Sequence, residues 1–199
     1  MQTIATGILS ALPLSLLEDE TEARKKGKKS RRKKKRKGQQ PSAPAVRADA
    51  TCPLPQDDAF IVGSLARLAQ SFTAGVSGDL VRVELGVDNR QGSSNNYLVR
   101  LAPLVDGLPG EAVLATAEVA AAVLPASITT ASFTFSSPAR VVAGTSYTLV
   151  LAVDGQDNFS WISRTGTACG GRGFLANGLS APFEPRNELD FVFTTFVQA

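Results

Sequence analysis

The chain has 199 residues, enough for one ordinary domain plus an extension, with 43% hydrophobic residues and a formal net charge of +3. Histidine is absent and cysteine occurs twice. This excludes Ser-His-Asp and Cys-His catalysis within the chain, the commonest zinc ligand, and any all-cysteine metal site. Twelve of the 21 Lys and Arg residues fall between Arg24 and Lys37, whereas from Thr51 onward eight Arg face thirteen Asp and Glu, a balance of −5. The high isoelectric point therefore comes from one run, not from a basic folded face that would suit nucleic acid.

Residues 1–23 read as an apolar leader. Ile4 to Leu17 form an apolar stretch interrupted by Pro13, too short to cross a bilayer but of signal-peptide length. Thr21 and Ala23 supply the small residues of a cleavage site, although Met1-Gln2-Thr3 lacks the positive charge of an n-region. Residues 24–50 read as a disordered basic tract followed by a linker. Lys25, Lys26, Lys28, Lys29, Arg31, Arg32, Lys33, Lys34, Lys35, Arg36 and Lys37 repel one another and offer no apolar surface to offset ordering entropy. Such a polycation is expected to attach to anionic surfaces such as wall polymers or lipid headgroups. Without interleaved aromatics, sequence-specific nucleic-acid binding is not expected. The apolar segment, the Glu-Ala junction and KKGKKSRRKKKRKG together resemble the leader region of secreted bacterial proteins, in which a twin-arginine motif precedes the apolar core. That motif is missing here, so the resemblance implies a start upstream of Met1; the alternative is that residues 1–23 are a disordered or weakly helical extension.

Residues 51–199 read as a β-sandwich module. Leu65 to Ala74 forms an apolar run, and the following GVSG predicts a turn with glycines at positive φ. In DLVRVELGVDN, Val81, Val83, Leu85 and Val87 alternate with polar or small residues, the pattern of a half-buried strand. Tyr97 to Leu104 returns as a strand before the turn DGLPG. Ala112 to Val119 is expected as a strand and Ala120 to Pro125 as a short helical or irregular connection. Thr130 to Ser136 puts Phe133 and Phe135 on one face, and a strand within Ala143 to Gly155 aligns Tyr147, Leu149, Leu151 and Val153. NFSWIS, RGFLAN and ELDFVFTTFV complete eight or nine strands, enough for two packed antiparallel sheets.

The succession AQSFTAG, GLPGEAVLATAEV, SFTFSSPARVVAGTSYTLVLAV, a tryptophan strand and LDFVFTTFV resembles a jelly-roll-like sandwich module of secreted and surface proteins of bacteria and archaea. The resemblance covers residues 60–198. It implies a non-catalytic module appended to enzymes, adhesins or repeats, and no single ligand.

Cys52 and Cys169 suit one disulfide in an oxidising compartment, the alternative being two unrelated buried thiols. Trp161, Tyr147 and Tyr97 are the candidate sugar contacts, with a core role as the competing reading for Trp161 and a core-edge role for the tyrosines. Asp154, Asp157 and Asn158 offer oxygen ligands for calcium, as do Asp88 and Asn89, although loops use Asp and Asn for turns as well. No carboxylate pair stands out for glycoside hydrolysis. The expectation is a secreted or envelope-associated binding module with a carbohydrate or protein partner, no transmembrane helix and no cofactor beyond calcium. The rivals are a purely structural surface protein, a carbohydrate-binding accessory module and an unfamiliar hydrolase.

Overall fold

Period-two alternation obliges each strand to bury one face, and strands that do so pair into sheets that cover one another. A computed structural model describes residues 44–54, 66–90, 94–153, 160–166 and 169–199. The leader, the basic tract and the loop bearing Asp154, Asp157 and Asn158 lie outside the described residues.

The strands are β1 (Val46–Cys52), β2 (Ala66–Thr73), β3 (Gly78–Asp88), β4 (Asn96–Val105), β5 (Leu108–Pro109), β6 (Ala115–Ala120) and β7 (Ile128–Val141). They continue with β8 (Ser146–Val153), β9 (Ser160–Trp161), β10 (Ser163–Thr165), β11 (Gly173–Asn177), β12 (Glu184–Arg186), β13 (Leu189–Phe191) and β14 (Phe193–Gln198). Among the described residues the first sheet has the order β1-β14-β3-β7, with β9 beside β3. The second has the order β12-β11-β2-β8-β4-β5, with β6 also on β4, and β10 pairs with β13. The long strands thus fall into two sets, β1, β3, β7 and β14 against β2, β4, β6 and β8, and the chain changes sheet at almost every connection. That winding is a jelly roll. The expected all-β, antiparallel two-sheet sandwich is the fold of this chain.

The core lies between the sheets. Leu68, Phe72, Val83, Leu85, Tyr97, Val99, Phe133, Leu149, Leu151, Trp161 and Phe193 are all buried in it. Cys52, at the end of β1, is bonded to Cys169, just ahead of β11, with Cα atoms 5.0 Å apart. The bridge ties a first-sheet strand to the segment that enters the second sheet.

The structure departs from the sequence reading in three places. Val46 to Ala50 are not linker but strand, paired with β14 from Val46↔Gln198 to Cys52↔Phe193. Thr195 holds the bulge in that pairing, its hydroxyl accepting from Ala50 N at 2.9 Å and donating to Ala50 O at 3.3 Å. In β3, the pairing with β7 slips between Leu80 and Arg82, so Leu80 takes the core position and Val81 is only half-buried. Gly75 and Gly78 have ordinary φ angles. They are needed for close approach: a Cβ on Gly78 would lie 2.5 Å from Gln198 O. Positive φ occurs instead at other turns, among them Asp106 and Gly107, the two tip residues of the β4–β5 hairpin. The connection after β6 is as expected, a single 3-10 turn at Ala121–Val123.

Candidate functional site

The outer face of the second sheet is not the polar, solvated surface that alternation implies. Phe174 of β11 pairs with Ala69 of β2, Ala69 with Val150 of β8, and Val150 with Arg100 of β4. Ala69, Val150 and Phe174 form a second buried apolar cluster, with Leu104 and Phe183 packed on it. The segment between β11 and β12 and the chain around the β4–β5 hairpin rise over this face. Between them lies a cleft of about 630 Å³, floored by Ala102 and Val150 and walled by Leu108 to Glu111, Val113 and Leu179 to Phe183.

Two arginines enter this cleft, Arg67 from β2 and Arg100 from β4. Their strands flank β8, but Leu68 pairs with Leu151 and Arg100 with Val150, so the two arginines are also offset by two residues along β8 and their backbones stand about 12 Å apart. Arg67 is immobilised: its guanidinium lies 4.6 Å from the centre of the Phe183 ring and donates to Ala181 O. Its Nε is buried with no hydrogen-bond partner. Desolvation, and then the charge of Arg100, push the Arg67 guanidinium below its ordinary pKa. Arg100 is exposed and makes no ion pair among the described residues. Glu111 is the carboxylate on the cleft wall. Leu108, Val113 and Leu179, exposed by 42%, 52% and 58%, rim the opening. An apolar floor, an apolar rim and two cations in the lining make a surface suited to an organic anion.

The aromatics singled out from sequence stand elsewhere. Trp161 is fully buried, stacked on Phe191 at 4.9 Å, and donates its indole N–H to Val192 O at 2.7 Å. Tyr97 is fully buried and its hydroxyl donates to Asn89 Oδ1 at 3.4 Å. Burial, and secondarily Asp88, hold its phenol above the ordinary pKa. Tyr147 is 6% exposed and its hydroxyl accepts from Val142 N at 3.0 Å. None of the three presents a ring to solvent, so the reading of them as sugar contacts is corrected to a core role. Asp88 and Asn89 are likewise occupied. The Asp88 carboxylate accepts from Arg90 N, Nε and Nη2 at 2.6 to 2.9 Å, and the Asn89 amide donates to Ala121 O at 3.2 Å. Among the described residues no cluster of three or more metal-ligating side chains occurs.

Sequence reasoning missed Arg67, Arg100 and Phe183. Each arginine sits in an outward phase of its strand, RLAQ and VRLA, which by itself describes a solvated side chain. Only the order β2-β8-β4 gathers them around Val150.

No protein-family model and no curated protein sequence matches the chain. Among solved structures it is similar to the cysteine protease and lectin-like domains of Cwp84, a surface layer associated protein of Clostridium difficile, at 15% identity and a TM-score of 0.49. The match covers 73% of this chain and 37% of that one, so the chain spans well under half of the neighbour's length. What fold and bridge define together is a disulfide-bonded jelly-roll sandwich.

Proposed function

We propose that this chain is a non-catalytic, extracellular binding module that takes its ligand in the cleft on the outer face of the second sheet and adheres to anionic surfaces through its basic run. The observation that carries the reading is the cleft itself, with an apolar floor, exposed apolar side chains at its rim and two arginines in its lining. The disulfide supports residence in an oxidising compartment. The missing histidine supports a binding role over hydrolysis.

Two measurements test the proposal. On an array of bacterial and plant polysaccharides, the full chain is expected to bind a subset saturably, and the absence of any saturable binding would leave a purely structural role. Retention on a polyanionic resin is expected to fall steeply with salt for the full chain and to be lost in a chain starting at residue 44; equal retention of both would remove the electrostatic attachment. The shorter chain starts at residue 44 because a cut at 51 would divide β1. Turnover of glycoside or ester substrates that disappears on changing one carboxylate would overturn the non-catalytic reading.

A further inference from the structure

The cleft's charges and shape restrict what fits it. Arg67 is held in place by Phe183 and Ala181 O, and its Nε has no accessible surface, so a ligand meets the remaining guanidinium N–H groups. A guanidinium recognises an oxyanion through its charge and its free N–H donors. Arg100 stands opposite with no ion pair among the described residues, and the two cations disfavour each other. A neutral ligand would leave that repulsion in place, whereas a carboxylate between them removes it. Beneath the charges, Ala102, Val150 and Pro109 offer C–H surface. At the wall, Glu111 and Ser180 offer acceptors for hydroxyl groups. The ligand that uses all of these features has one carboxylate, an apolar ring face and several hydroxyls, and is small enough for about 630 Å³.

We infer that the cleft is a carboxylate site for the uronic-acid unit of an acidic polysaccharide, with Arg67 and Arg100 sharing the carboxylate over the Val150 floor. This rests on the reading of the same face as the ligand site. It deepens that reading by naming the ligand class. Arg67 gives direction through its fixed plane, and Arg100 adds charge from the exposed side. Glu111 accepts from ring hydroxyls and, as a like charge, keeps affinity for multiply charged anions low.

The test titrates the full chain and a chain starting at residue 44, which lacks the basic run that itself attracts anions, with a galacturonic acid trimer, its methyl ester and inorganic phosphate by calorimetry at physiological salt, and the acid preference is read from the shorter chain. The acid trimer is expected to bind saturably and the neutral ester about tenfold or more weaker. Arg100→Gln is expected to weaken the acid trimer about fivefold or more with an unchanged melting temperature, because Arg100 is exposed. Arg67→Lys, which keeps the charge and loses the fork, is expected to weaken it by a similar factor. Equal affinity for acid and ester, or an acid affinity untouched by Arg100→Gln, would overturn the carboxylate site while leaving a sugar-binding module in place. Phosphate competing as well as the trimer would overturn the uronate assignment in favour of a general oxyanion site. Saturable binding of other polysaccharides on the array with none of the trimer would overturn the inference and leave the binding module standing.

Discussion

Trp161 and Asp190 show how single side chains hold this sandwich. The indole of Trp161 fills the space against Phe191 and its N–H satisfies Val192 O. Replacing it by Phe removes both volume and a buried hydrogen bond. Trp161→Phe is expected to destabilise the fold by about 2 to 3 kcal/mol in urea unfolding. Asp190 is 1% exposed, accepting from Cys169 N at 3.0 Å and from Gln70 Nε2 at 3.3 Å, while Gln70 Oε1 accepts from Phe191 N at 2.8 Å. Asp190→Ala takes the acceptor from the part-buried Cys169 N and one of two from Gln70 Nε2, which keeps Ser71 O at 3.1 Å, and is expected to cost about 1 to 3 kcal/mol by the same measurement. Asp88 adds a pH dependence. Its hydrogen bonds from Arg90 hold the carboxyl below the usual carboxylate range, although burial opposes them. With the folded pKa depressed, the stabilisation is complete above the unfolded value of about 4 and is lost as pH falls through the folded value. Melting temperature is therefore expected to drop on going from pH 5 to pH 2, and the Arg90→Gln variant to lose less over that interval.

At the scale of elements, β1 and its partner explain where the domain starts. Residues 46–50, VRADA, lack the apolar alternation that marked the other strands, because three of the five side chains are exposed. Pairing with β14 makes them a strand, and such pairing is invisible in a local window. By contrast, β7 and β8 were legible, since Phe133 and Phe135 in one and Tyr147, Leu149, Leu151 and Val153 in the other keep strict period two and all face the core. The phase error at Val81 has a definite cause in the slip opposite Ser136 to Pro138 of β7, where the pairing passes from Arg82↔Thr134 to Leu80↔Ala139. Gly78 is a point of close approach between β3 and β14. Gly78→Ala is expected to destabilise by about 1 to 3 kcal/mol, since its Cβ would meet Gln198 O and Val197 Cγ1, both at 2.5 Å.

Over the whole molecule the dominant feature is sequence distance. β1 and β14 pair between Val46 and Gln198, and the disulfide spans 117 residues. Contacts of this range make folding slow, so refolding with the bridge intact is expected in milliseconds to seconds by stopped-flow fluorescence of Trp161. In the chain-entropy description a loop of that length stabilises by about 4 to 5 kcal/mol. The Cys52→Ser, Cys169→Ser pair is accordingly expected to melt about 10 °C or more below the parent. Refolding of that variant is expected to be slower as well, because β1 must then find β14 without the tether.

The sequence by itself determined the layers. Alternating apolar residues specify strands with one buried face, turn residues separate them, and their number requires two sheets in contact. It also determined that the domain is acidic behind a basic run, and it offered Cys52 and Cys169 as a pair that the structure shows bonded. Strand order was left to the tertiary structure, and with it the site. Alternation says only that Arg67, Ala69, Arg100 and Val150 face away from the core. Whether that face meets water or is roofed depends on which strands lie side by side and on where the Leu179–Phe183 segment crosses them. These are long-range choices, made when the two sheets close on each other, and no local pattern of residues encodes them.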